Sequence, residues 1–198
     1  MKIVYTLLIV SFLASCKNGD KKVEKNLTPT LEKKVTYLLD ETTKDTLIYP
    51  EEKHFKNIRQ VTFGGDNAEA YWSFDDSQLI FQSNNKNWGV NCDQMFLMNV
   101  DETFKDKQPP MVSTGKGRTT CSYFLPDGKH ILYGSTHLKN DNCPEVPLKK
   151  EGKYVWPVYD SFDIFVADLD GNITAQLTDE PGYDAEATVS PKGDKIVF

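Results

Sequence analysis

The chain has 198 residues, of which 39% are hydrophobic and 12% aromatic. That is enough for a globular core and too little for a bundle of membrane spans. The formal net charge is −6 and the basic residues are scattered, so no basic stripe offers itself to nucleic acid.

Met1 and Lys2 form a short positive start, and Ile3 to Phe12 is an apolar run broken only by Thr6 and Ser11. A run this short suits a secretory signal rather than a membrane span. It ends in Leu13-Ala14-Ser15-Cys16, which resembles a bacterial lipobox. The resemblance implies a signal peptide over 1–16, lipidation of Cys16, and a place in the bacterial cell envelope. Lys17 after the cysteine favours the outer membrane, facing the periplasm or the cell surface. Each buried methylene of an acyl chain contributes about 0.8 kcal/mol to such anchoring. Residues 17–55 are rich in Lys, Asn, Glu and Thr with little apolar periodicity, and read as a flexible tether.

From there the chain repeats itself. Asn67 to Phe81, Thr119 to Tyr133 and Asp184 to Phe198 share one pattern, aligning without gaps on Phe81, Tyr133 and Phe198, 52 and 65 residues apart. Such self-similarity marks a repeat architecture. In each copy a short strand runs into Ser-Phe-Asp-Asp-Ser, Leu-Pro-Asp-Gly-Lys or Ser-Pro-Lys-Gly-Asp, all turn chemistry. An apolar triplet follows: Leu79-Ile80-Phe81, Ile131-Leu132-Tyr133 and Ile196-Val197-Phe198. Consecutive apolar residues predict a strand covered on both faces. Each copy is therefore a predicted β-hairpin with a buried second strand.

The hairpin resembles the WD-like β-propeller repeat of the TolB family. The match is strongest at Trp72-Ser73 and Ser190-Pro191-Lys192-Gly193. It continues through Asp163-Ile164-Phe165-Val166-Ala167-Asp168-Leu169-Asp170-Gly171 into Ala175-Gln176-Leu177-Thr178, with Gln60-Val61-Thr62-Phe63 similar to another closing strand. The resemblance implies an all-β chain whose residues 56–198 form an incomplete β-propeller of four-stranded blades, about two and a half of them. Blade one takes strands at 70–73, 79–82, 94–100 and 110–113; blade two at 122–125, 130–134, 162–169 and 173–177. Blade three has only 186–190 and 195–198. An outer strand at 58–63 precedes them, placed as the family's ring-closing strand. A propeller needs about four to eight blades, so the sequence is expected to be part of a longer protein.

The candidate site residues come from the repeat alignment. Glu69 and Glu186 occupy equivalent positions, with Cys121 between them, and innermost strands of a propeller start at the channel mouth. Both carboxylates are thus candidate rim contacts to a ligand. Trp88 and Trp156, in long loops, are candidate binding-surface aromatics. Three cysteines besides Cys16 belong to one rim of a propeller; Cys121–Cys143 is the preferred disulfide, with Cys92 as the alternative partner. A Cys/His metal site with His137 is disfavoured because no tight ligand spacing occurs. Asp168 to Asn172 lacks the remaining ligands of a calcium loop and reads as a β-turn. No catalytic residue, metal or cofactor is assigned; no phosphate loop, dinucleotide fingerprint or nucleophile elbow is present.

The function implied is a lipid-anchored, TolB-like, non-catalytic module that binds an envelope protein or polymer. The alternative is an N-terminal gating propeller of a larger hydrolase, prolyl-oligopeptidase-like or amidohydrolase.

Overall fold

A computed structural model of the protein describes residues 49–147, 151–153, 155 and 157–198. The lipobox-like stretch with Cys16, most of the expected tether and Trp156 lie outside the described residues.

The described chain is all-β, with one short 3-10 turn, η1 (Lys86–Trp88). Strands β1 (Asp66–Trp72), β2 (Gln78–Asn84) and β3 (Gln94–Asn99) form an antiparallel meander. A second meander follows, β4 (Thr119–Phe124), β5 (His130–Ser135), β6 (Ser161–Asp168) and β7 (Ile173–Gln176). The short β8 (Gly182–Tyr183) pairs in parallel with β6. β9 (Thr188–Val189) and β10 (Ile196–Val197) make a third hairpin.

The three turns close identically at equivalent positions. Ser73, Leu125 and Ser190 each donate a backbone N–H to a carbonyl five residues on, at Gln78, His130 and Lys195. Their own carbonyls accept from Asp76, Gly128 and Gly193. Those three residues have φ of 58°, 65° and 72°, the left-handed region where Gly is free of strain and Asp is tolerated.

The apolar triplets separate by alternation. Ile80, Met95 and Leu97 of the first sheet meet Phe124, Ile131, Tyr133 and Ala167 of the second. On the first sheet's other face, Phe81, Phe96 and Met98 pack with Val90 and Phe104. On the second sheet's other face, Leu132 and Ile164 meet Ala187, with Val189 and Ile196 alongside. Ile131, Leu132 and Tyr133 are all 0% exposed, so both faces of β5 are covered as the triplet predicts. Full burial of each such side chain contributes roughly 1.5–3 kcal/mol. Gly134 admits the third hairpin: a Cβ there would stand 3.4 Å from Ala185.

Three expectations need correction. The third triplet is not buried, because among the described residues only β9 pairs with β10, and Val197 and Phe198 are 68% and 60% exposed. Residues 58–63 do not form a strand. Thr62 makes a single parallel bridge to Phe104, whose N–H donates to the Val61 carbonyl at 2.8 Å, and the Arg59 guanidinium donates to the Val100 and Asp101 carbonyls. The segment is thus committed to the loop after β3. Residues 110–113 contribute a bridge rather than a strand: Leu97 N–H donates to Pro110 O and Val112 N–H to Met95 O, both 2.9 Å. Pro110 lacks the N–H that would extend the ladder.

Candidate functional site

The three repeat copies share a left-handed backbone position, and in two of them it accompanies a register shift. In β1 the register against β2 shifts between Ala68 and Tyr71, leaving Glu69 and Ala70 across from one partner position. In β4 it shifts between Thr120 and Tyr123, leaving Cys121 and Ser122. Glu69, Cys121 and Glu186 have φ of 50°, 45° and 59°, left-handed in every case, although none is glycine. In β1 and β4 the shift is a β-bulge, which redirects the side chain it carries; Glu186 lies two residues before β9 and shares the left-handed φ alone.

These side chains share one cleft of about 170 Å³. It is lined by Glu69 and Tyr71 from the first copy, Cys121, Ser122 and Tyr123 from the second, and Glu186, Ala187 and Thr188 from the third. The lining is one three-residue stretch of the repeat used three times. The two candidate carboxylates, read from sequence as a pair, do lie around one opening. Tyr71, Ser122 and Thr188 were not singled out by sequence reasoning. The signal was available, because each stands one or two positions past the left-handed residue of its own copy.

The electrostatics of the cleft hold its weak acids in their protonated forms. The Tyr71 hydroxyl donates to Glu69 Oε2 at 2.9 Å. That bond, then burial and the nearby Glu69, Cys121 and Glu186, push the phenol up to about 12. Burial, reinforced by Glu69 and Glu186, raises the Cys121 thiol to about 11 against the opposing contact with Thr120 Oγ1 at 3.2 Å. A thiol so placed is neutral at physiological pH and is no activated nucleophile. The cleft therefore offers carboxylates and neutral hydroxyl and thiol groups to whatever enters it.

The remaining predicted positions fall elsewhere. Trp88 ends η1 and packs edge-on against Phe96, ring centroids 5.3 Å apart; it covers the first sheet's apolar face and lies away from the cleft. The disulfide joins Cys92 to Cys143, S–S 2.10 Å, and Cys121 is free. This corrects the preferred Cys121–Cys143 pairing. The reason lies between the sheets. Thr119 N–H and Oγ1 both donate to the Asp93 carbonyl, holding the head of β4 beside Cys92. Gly117 N–H donates to Asp141 O at 2.8 Å, drawing the loop that carries Cys143 to the same place. Arg118 completes the junction, with Nη1 2.9 Å from Asp93 Oδ2 and Nη2 3.6 Å from Cys143 Sγ. Asp93 nonetheless has a raised pKa, since burial outweighs the attraction of Arg118.

His137 packs on Phe165 with ring centroids 4.4 Å apart and planes tilted by 55°, and its Nδ1 lies 2.9 Å from Ser135 Oγ. Among the described residues no group of three or more His, Cys, Asp or Glu is placed to hold a metal ion. Asp168 spends its carboxylate within its own turn, accepting from the N–H groups of Asp170 at 3.0 Å and Asn172 at 2.8 Å. Among the described residues no helix is long and apolar enough to cross a membrane.

No protein-family model matches the chain, and no curated protein matches it in sequence.

Proposed function

We propose that the protein is a lipid-anchored, non-catalytic binding module of the bacterial envelope, built from propeller-type blades similar to those of the TolB family. In this reading the two meanders are successive blades and the third hairpin begins another. Cys16 carries the lipid, and the cleft at the hairpin heads receives a protein or polymer of the envelope. The observation that carries the binding role is that three equivalent residues with left-handed φ, Glu69, Cys121 and Glu186, line one opening. The protonated thiol and phenol beside the carboxylates supply no nucleophile at neutral pH, which favours recognition over chemistry.

The test has two readouts on the full chain in a bacterial host. Radiolabelled palmitate should enter the parent and be absent from Cys16→Ala. A photo-crosslinking residue at Thr188 should give a discrete envelope adduct, whereas one at exposed Lys105 should not. Unlabelled parent protein would remove the anchor. Equal adducts from both positions, or none from position 188, would remove the cleft as the binding surface.

A further inference from the structure

The polar groups of the cleft are unevenly satisfied. Glu69 accepts one hydrogen bond, from Tyr71. Among the described residues neither Glu69 nor Glu186 has an ion-pair partner; the basic side chains that do form ion pairs, Lys116, Arg118 and His130, serve Asp141, Asp93 and Asp127. A second observation is independent of these carboxylates. Ser122 lines the same cleft, is 1% exposed, and its hydroxyl has no hydrogen-bond partner. Buried hydroxyls are nearly always bonded, so an orphaned one at a binding cleft points to a group that completes it.

Size and chemistry narrow that group. At about 170 Å³ the cleft is smaller than the roughly 300–1,000 Å³ of sites that enclose a whole small molecule, so it admits the end of a larger one. Two carboxylates without cations select positive charge. The rings of Tyr71 and Tyr123, 5.6 Å apart and edge to face, form a wall compatible with a cation. The acceptors come from three separate copies of the repeat. A guanidinium is best met by a single carboxylate presenting both oxygens to its planar fork. Three dispersed acceptors instead match an ammonium, a compact charge with three rotatable donors.

We propose that the cleft receives a primary ammonium group borne on a peptide, with Glu69, Glu186 and the Ser122 hydroxyl as the three acceptors. The proposal deepens the binding-module reading and rests on it. A lysine side chain and a free amino terminus present the same chemistry, and the experiment separates them.

The full chain, purified in detergent, is titrated by calorimetry with three probes. Nα-acetyl-lysinamide offers a side-chain ammonium, glycylglycinamide an α-ammonium, and Nα-acetyl-norleucinamide no charge. Saturable binding of one or both ammonium probes is expected, with none for the norleucine probe. Glu69→Gln and Glu186→Gln should each weaken it at least tenfold, and Ser122→Ala several-fold. The proposal is overturned if the norleucine probe binds as well, if neither ammonium probe saturates, or if the Gln variants titrate like the parent. Should a Gln variant fail to fold, Ser122→Ala decides, since it removes only an unpartnered atom; unchanged binding there overturns the three-acceptor assignment. A position-188 adduct that persists while the ammonium probes fail would sink this inference and leave the binding-module reading standing. Probe binding without any adduct would keep the ammonium site and remove an envelope protein or polymer as its partner.

Discussion

Breaking the Cys92–Cys143 bond tests the way the two sheets are joined. The bond spans a sequence separation of 51 residues and ties the loop after β5 to the head of β3 in the neighbouring sheet. Closing a loop of that length in the unfolded chain restricts it by about 4 kcal/mol on the chain-entropy model. For a domain of about 150 residues, each kcal/mol moves the melting temperature by roughly 2–4 °C, so the loss should be roughly 8–16 °C. Cys92 is 7% exposed, so the paired replacement is best made with alanine, which buries no new polar atom. The assay is a calorimetric melt of the parent, the dithiothreitol-reduced parent and Cys92→Ala/Cys143→Ala, together with a non-reducing peptide map. Reduced parent and double variant should melt together, well below the oxidised protein, and the map should show Cys92 joined to Cys143. A shift of less than about 3 °C, or any peptide joining Cys121 to Cys143, would refute the reasoning.

Three further outcomes follow from the cleft and the rim. Glu186 at φ 59° is strained, so Glu186→Gly should leave thermal stability level or slightly raised. Glu186→Ile should cost about 1–3 kcal/mol, as read from denaturant midpoints. With its thiol near 11, Cys121 should react with iodoacetamide slowly at pH 7.4 in the native protein. Its rate should climb about tenfold per pH unit up to about pH 10; a plateau near pH 8 would contradict the buried thiol. Burial lowers the His137 pKa below its usual 6.5, with Lys116 adding to the effect and Asp141 opposing it. The unfolded chain therefore binds the extra proton, and stability present above about pH 6.5 declines as pH falls through that value toward the folded pKa. His137→Asn should flatten that decline in urea melts between pH 7 and pH 5, and an unchanged slope would count against it.

What the sequence revealed was whatever one copy of the repeat determines by itself. The turns at residues 73–78, 125–130 and 190–195 were legible because Asp, Gly and Pro act over a few residues, and their hydrogen bonds agree copy by copy. The burial of Ile80-Phe81 and Ile131-Leu132-Tyr133 was legible because a run of apolar residues has no polar face to show water. The disulfide was not legible. The choice of Cys92 depends on Thr119 bonding to Asp93 between two sheets, which no local pattern records. The packing of Trp88, which is half-buried, was not legible for a related reason. It follows Asn84-Asn85-Lys86-Asn87, a polar stretch, and its burial comes from Phe96 on the neighbouring strand. Residues 58–63 carry a strand-like composition, but Phe104 and the Arg59 contacts hold them to a loop.

The left-handed residues bear on why the cleft is composed as it is. A non-glycine residue in the left-handed region costs roughly 1–2 kcal/mol. Two of the three turn positions avoid that cost with Gly128 and Gly193, so this chain places glycine where only the backbone matters. At the three positions that line the cleft it does not: Glu69, Cys121 and Glu186 all carry side chains at positive φ. Glycine there would relieve the strain and keep the bend, but would take the carboxylates and the thiol out of the cleft. Strain held at equivalent positions whose side chains line one cleft supports the proposed binding surface, since both glutamates are exposed and neither enters an apolar cluster. Replacing both glutamates by glycine should raise stability while abolishing recognition, two effects that a purely structural role would not separate.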